Sequence, residues 1–456
     1  MNPVIQQLQH DCDLTGLHRS DPASYPSLLQ STAQGRFDIL FAFPGDSLLL
    51  NAAGQLQGPD NGPAEPGDFL EGLDLWWREH RTARFDSNGL PFTGGWFIYL
   101  GYELAAQIEP CLRLPANPTV LPVAVATRFR SAVIRDHRRN ATWIVAEPGQ
   151  QELARRIATD SAALSRRPAG ALPDNPVVAV SEPEPSRYTR AVSRILDYIR
   201  DGDVFQVNLS RQWDVDYQEA VDPAGIYRQL CIHNPAPFSG LVRLGDSAII
   251  SSSPERLVAV RNGLVETRPI AGTRPRSLSG TKDRAYSSEL LAHPKERAEH
   301  IMLIDLERND LGRICVPGTI EVNELMALES YAHVHHIVSN IRGRMRTDVT
   351  PGQVIRAVFP GGTITGCPKV RCMEIIAELE RTGRGAYTGS AGYLNRDGSM
   401  DLNILIRTMV AQAGRVSLRA GAGIVADSVP EAELAETRAK ARGLLRALGL
   451  DRPCRK

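Results

Sequence analysis

The chain reads as a mixed α and β protein, on three observations. Leu257-Val258-Ala259-Val260-Arg261 and Leu264-Val265-Glu266-Thr267-Arg268 are β-rich runs separated only by Asn262-Gly263. Asn-Gly is a strong hairpin signal, because a type I′ turn needs φ > 0 at both central residues. Further on, helical periods recur: Val192, Ile195, Leu196 and Ile199 share one face after Ser186-Arg187-Tyr188-Thr189. Between such runs, clusters of glycine and proline mark turns and loops.

With a two-residue loop, Arg261 pairs with Leu264, and counting outward sets Glu255 opposite Ile270 and beside Ala271. Opposed Cβ atoms stand ~5 Å apart, so this spacing puts a carboxyl group next to the tight Ala271-Gly272-Thr273 turn. On spacing alone, this is either a surface hairpin with a chance carboxylate or the wall of a site.

The 456 residues exceed one ordinary domain, and 42% hydrophobic with 23% charged residues suits a globular protein with a real core. Lysine plus arginine equals aspartate plus glutamate at 52 each. No basic excess exists to hold a polyanion, so neither nucleic-acid nor membrane-surface binding is expected. Seven scattered cysteines without a C-x-x-C pair suggest reduced thiols. The start Met1-Asn2-Pro3-Val4-Ile5 lacks a basic and then apolar leader, and no run approaches the ~20 apolar residues of a spanning helix. A cytoplasmic location is expected.

Residues 1–165 read as strands with short helices. Arg36 to Phe43 is a strand that Pro44-Gly45-Asp46 should end. Gly58 to Gly67 is dense in breakers and reads as a loop, and Gly94-Gly95 leads into an aromatic strand, Trp96 to Tyr102. Glu152 to Leu164 looks helical. Residues 166–186 form a Pro-rich linker, which places the main boundary there and leaves 187–456 as the second region. In that region a helix is followed by the strands Val204 to Ser210 and Ser247 to Ser252. No repeat of period 20–50 and no G-x-x-x-x-G-K loop occurs.

Glu296 and Glu299 sit three apart in the helical run Lys295 to Leu306, and Glu433 and Glu436 share that spacing in a helix beginning at Pro430. Two such pairs are either solvated helix faces or converge on a hard divalent cation, and Mg²⁺ takes carboxylates together with water and an anionic substrate. Gly421-Ala422-Gly423 precedes the second pair and offers backbone N–H groups to an anion, while Lys440 lies four residues after Glu436.

Together these residues resemble the chorismate-utilising enzymes, a family that includes anthranilate synthase, aminodeoxychorismate synthase and isochorismate synthase. The resemblance rests on Phe205 to Ser210, Ser253-Pro254-Glu255-Arg256, Pro269 to Arg276, Asp305 to Arg313, Phe359 to Lys369, Ile406-Arg407-Thr408 and Gly421 to Ser428, in order along residues 187–450. It implies an α+β fold in which two large antiparallel β-sheets pack as a sandwich, with helices outside and the active site in a cleft. It also implies roles. Glu255 corresponds to the general acid that protonates the leaving C4 hydroxyl of chorismate, which requires a raised pKa. Glu296, Glu299, Glu433 and Glu436 correspond to the Mg²⁺ shell. Tyr393, Arg407, Lys440 and the backbone at Gly421 and Gly423 correspond to groups that bind the substrate's carboxylates. His336 matches the family's active-site histidine, and Thr273 is placed at the ring.

Two positions bear on the nucleophile. Water-using members carry a basic lysine where this chain has Gln206, and an amide cannot deprotonate water, so ammonia is the expected nucleophile. No glutaminase segment is obvious in the sequence, so the resemblance implies a separate glutaminase subunit that releases ammonia from glutamine. Tyr25 to Ser31, Arg36-Phe37-Asp38, Pro91 to Gly95 and Asn234 to Ser239 resemble aminodeoxychorismate synthase component I, which serves 4-aminobenzoate and folate synthesis. Gln30 and Phe238 replace residues of the stretches with which anthranilate synthase binds feedback tryptophan. Against this, Ala271 stands where some aminodeoxychorismate synthases carry a nucleophilic lysine, and alanine is the anthranilate-synthase residue. The expected product is 4-amino-4-deoxychorismate, with anthranilate as the alternative. A non-catalytic binding module is disfavoured by the presence of Glu255, His336 and all four acidic positions.

Overall fold

The structure, a computed structural model, describes residues 3–33, 35–59, 67–84, 87–164, 175–276, 279–330 and 334–450, without the side chains of Thr273, Pro275, Lys295 and Val334. Its strands form two antiparallel sheets joined by one long pair, Phe37–Leu50 with Ala124–Asp136. The first sheet runs from Val4–Gln7 through Ala141–Ala146 into the far half of that pair. It continues through Ser27–Gln30, Phe238–Leu244, Ser247–Ser253, Thr408–Gln412 and Arg415–Ile424 to Gln206–Tyr217. The second sheet leaves the near half of the pair through Gly95–Leu100, Ser390–Asn395, Met400–Asn403 and Arg256–Arg261. It ends with Leu264–Arg268 and Ile270–Pro275 in line on one edge of Val334–Arg344, and Glu321–Ser330 on the other.

Strand alternation sends side chains to three apolar layers. Along Gly95–Leu100, Trp96, Ile98 and Leu100 join the layer under Phe69–His80, Pro294–Gly312 and Pro351–Val358. Phe97 and Tyr99 point the other way, between the sheets, where Phe41 packs its ring 4.9, 5.5 and 5.4 Å from those of Phe92, Phe97 and Phe129. Leu40 and Ala42, flanking Phe41, face a third layer under the helices Leu14–Ser20, Gln151–Leu164, Pro223–His233 and Pro430–Ala447. The result is helix, sheet, sheet, helix, the sandwich expected from the sequence.

Three local expectations change. Pro44-Gly45-Asp46 does not end its strand: the residues form a bulge between Pro44 and Ser47, which lets one strand bend from the first sheet into the second. The Asn262-Gly263 turn has φ of 58° and 71°, and Arg261 pairs with Leu264. A bulge between Arg256 and Ala259 then slips the count by one, setting Arg256 opposite Arg268. Within the expected linker, Val177–Ser181 is a strand on Gln206–Tyr217, while residues 165–174 lie outside the described residues, as does most of the expected loop from Gly58 to Gly67. The boundary divides the sequence but not the sheets, since strands from both sides of it pair with each other. Among the described residues all six cysteines are free, and no helix is long and apolar enough to cross a membrane.

Candidate active site

The candidate site lies where Gln206–Tyr217 and Arg415–Ile424 of the first sheet meet Ile270–Pro275 and Val334–Arg344 of the second, with Pro294–Gly312 and Pro430–Ala447 as its helical walls. Gln206 bridges the halves: its Nε2 donates to Glu299 Oε1 at 2.7 Å. Gly423 allows this, because a Cβ there would stand 2.3 Å from the same Nε2. Across the cleft, Gly272 has φ +66°, a left-handed conformation that favours glycine, and a Cβ on it would meet Glu296 Oε2 at 2.8 Å. Both glutamates of the first helical pair therefore press against glycine backbone.

Glu255 is buried just before strand Arg256–Arg261, and its Oε1 has no hydrogen-bond partner among the described residues. Burial raises its carboxyl to about 7, with the Thr363 hydroxyl, the Ile270 amide and Lys440 pulling the other way. The acid thus ends near Ile270 although the simple count slips. His336 is buried opposite Thr273, and burial, with Arg407 as the next cause, lowers its imidazole to about 4, so the ring is neutral near pH 7. Lys440 Nζ donates to the Gly421 carbonyl at 3.1 Å and pairs with Glu436 at 2.6 Å. Arg407 has φ 53° and its Nη1 donates to the Lys440 carbonyl at 3.3 Å, while the charge of Glu436 bears on it. Two cations thus stand near one buried acid and one neutral histidine, an arrangement suited to an anionic substrate and to proton donation.

Ala271 is buried opposite Ile337, presenting a methyl group and no nucleophile. The Thr273 side chain lies outside the described residues. Glu433 lies half-buried near the start of its helix. Among the described residues no three His, Cys, Asp or Glu side chains converge closely enough to hold a metal as they stand. Glu296 pairs with Arg274 at 3.0 Å, Glu299 is held by Gln206 and Glu436 by Lys440. The donor set itself, carboxylates with oxygen ligands from two helices, fits a hard cation.

Tyr393 is not part of this assembly. It lines a separate cavity of about 660 Å³ between the sheets, with Gln30, Phe238, Arg256, Arg261 and Asn403. The tyrosine that does reach the site is Tyr387, not singled out by any motif above. Its hydroxyl would stand 2.7 Å from a Cβ on Gly421, Arg384 lies 5.6 Å over its ring, and it is among the groups that bear on Arg407. Thr363, inside the motif from Phe359 to Lys369, was likewise overlooked. The signal was available for both: Tyr387 follows Gly385 in a run of turn residues, and Thr363 follows paired glycines. Cys367 pairs with Gln206 at the sheet edge, and burial pushes its thiol up, away from a thiolate.

Sheet sandwich, enclosed acid and paired cations define an enzyme built to act on a small anionic substrate. Residues 28–446 match the chorismate binding enzyme family, and the chain belongs to that family. It is similar to an anthranilate synthase component I-like protein of Synechocystis (42% identity, covering 93% of this chain and 85% of that one). It is also similar to aminodeoxychorismate synthase component 1 of Bacillus subtilis (38%, covering 93% and 91%). Anthranilate synthase component I from Streptococcus pneumoniae superposes with a TM-score of 0.80 at 33% identity, covering 90% of this chain and 92% of that one. The isochorismate synthase MenF of Escherichia coli shares the fold, at TM-score 0.76 and 18% identity over 98% and 94% of the two chains. The chain is an enzyme acting on chorismate.

Proposed function

We propose that the chain aminates chorismate to 4-amino-4-deoxychorismate, as component I of an aminodeoxychorismate synthase, with ammonia released from glutamine by a glutaminase subunit. The observation that carries the choice of ammonia is Gln206: an amide tied to Glu299 at 2.7 Å offers no base for water. Gln30 and Phe238 favour the 4-amino product over anthranilate, and both line the separate cavity rather than the cleft. Glu255, protonated in part of the molecules near pH 7, gives its proton to the C4 hydroxyl, which leaves as water. Arg407, Tyr387 and Lys440 hold the carboxylates, and the neutral His336 orients the ring. Glu296, Glu299, Glu433 and Glu436 would hold Mg²⁺, which would supply positive charge to offset that of the ring carboxylate. Glu296, Glu299 and Glu436 pair at present with Arg274, Gln206 and Lys440.

A second reading, anthranilate synthesis, is favoured by Ala271. Amination at C4 with retained configuration is most simply achieved by two displacements, the first by a group that attacks C2 and later leaves, and a methyl group cannot do this. The proposed function therefore entails a route without a covalent adduct at position 271. Incubating the chain with chorismate, Mg²⁺ and ammonium salt, with and without a pyruvate-eliminating lyase, tests the choice. Lyase-dependent 4-aminobenzoate is expected. Fluorescent anthranilate released by the chain alone would establish the second reading instead.

A further inference from the structure

Behind Glu255 two buried acids share one lysine. Glu307 and Asp310, on the helix Pro294–Gly312, are 6% and 1% exposed. From the helix that begins at Lys369, the Lys369 Nζ donates to Asp310 Oδ2 at 2.6 Å. That lysine is also the cation that bears on Glu307, so Glu307 shares a partner already bonded elsewhere. Arg313 bears on Asp310, and Lys440 bears on Glu255 from the C-terminal helix. Two like charges with one shared cation in a dry interior are costly, and the usual remedy is that one carboxyl keeps its proton. Burial, then the charge of Asp310, pushes the Glu307 carboxyl well up, and the charge of Glu255 adds to this.

The same groups are joined by polar atoms with spare bonding capacity. Glu307 Oε1 stands 3.5 Å from where a Cβ on Gly362 would be, and the next residue, Thr363, lies beside Glu255. Thr267 lies beside Glu307. Thr363 and Thr267 offer their hydroxyls to Glu255 and Glu307, while Glu255 Oε1 and Asp310 Oδ1 are buried without a hydrogen-bond partner among the described residues. Buried polar atoms are nearly always satisfied, so two such carboxylate oxygens in one cluster call for an account. At the far end, the Lys369 side chain is 14% exposed and so reaches toward solvent.

We propose that Glu307 is the proton store of the site, a positioning residue that reprotonates Glu255 after each turnover and is itself refilled from solvent through the Asp310–Lys369 end. The inference rests on Glu255 being the general acid. In the transfer, the Glu307 O–H bond breaks as an O–H bond forms on the Glu255 carboxylate, leaving Glu307 charged. A proton from bulk water, passed along Asp310, then restores Glu307 to the neutral acid. No redox partner is needed.

The test uses the full chain with chorismate, Mg²⁺ and ammonium salt. Glu307→Gln keeps size and neutrality but cannot pass on a proton. Expected are an unchanged KM for chorismate, a kcat lower by at least about tenfold, and a basic limb of the kcat profile moved to lower pH. Raising the concentration of a small buffer acid should recover part of the loss. Should that variant not fold, Asp310→Asn, which cuts the refilling end, is expected to show the same buffer-dependent loss. A Glu307→Gln enzyme with the parent's kcat and pH profile would overturn the proposal, as would a loss insensitive to pH and buffer, which is what a purely structural glutamate gives. A parent chain inert towards chorismate would instead overturn the functional reading on which the proposal rests.

Discussion

At the scale of single residues, the site depends on groups held in unusual protonation states. Glu255→Gln should leave the fold intact and remove ~10²–10⁴-fold of kcat, because an amide cannot protonate the departing hydroxyl. Steady-state rates beside a thermal melt check this, and parent-like turnover would remove Glu255 from the mechanism. The pH dependence follows from the same group. Glu255 must be protonated to act, so kcat should fall as pH rises through about 7, while His336, already neutral above about 4, adds no titration on the acid side near neutrality. Cys367→Ala should lose little activity, since burial disfavours its thiolate. Total inactivation would place a covalent step on that sulfur. The placement of Glu255, His336 and Arg407 about one cleft was legible in the sequence, because they sit in compact motifs. Sequence alone does not distinguish Tyr387 from Tyr393, six residues on. Which of two nearby aromatic residues faces a cleft is decided by strand direction and by the glycine opposite, here Gly421.

At the scale of elements, the glutamate pairs lie on the helices Pro294–Gly312 and Pro430–Ala447, as their spacing predicted, but spacing could not show their present partners. Glu299→Ala and Glu436→Ala should each raise the Mg²⁺ concentration needed for half-maximal rate. Parent-like Mg²⁺ titrations would mark both as solvated or structural. The turn at Asn262-Gly263 was readable because turn chemistry is local. The bulges at Pro44–Ser47 and Arg256–Ala259 were not, because they answer to the pairing of distant strands. Between the sheets, Phe41 is the aromatic hub, and Phe41→Ala should cost about 3–5 kcal/mol, read by denaturant titration. The cavity lined by Gln30 and Phe238 gives a further test of the 4-amino product. Gln30 Nε2 donates to Asp38 Oδ2 at 3.1 Å, so this position offers a neutral, occupied amide. Added tryptophan should therefore leave the rate unchanged, and strong inhibition would count against the 4-amino product.

At the scale of the whole molecule, raised carboxyls couple catalysis to stability. The folded chain keeps a proton on Glu255 between about 4.5 and about 7 that the unfolded chain has lost, so this group's contribution favours folding at low pH and fades as pH rises through that window. Glu255→Gln should flatten that part of the slope, measured as melting temperature against pH. The sandwich itself was legible only through family resemblance, since periodicity marks strands but not which distant ones pair. The ribbon of Phe37–Leu50 and Ala124–Asp136, shared by both sheets, has a consequence for cutting the chain in two. Without residues 1–165, Phe238–Leu244 loses its neighbour Ser27–Gln30, and Ser390–Asn395 loses Gly95–Leu100. Each becomes a raw, apolar edge, the kind that recruits copies of itself. The C-terminal piece made alone should therefore precipitate although it holds every proposed catalytic group, and the N-terminal piece supplied in trans should act as its chaperone, restoring soluble, chorismate-consuming protein by strand complementation.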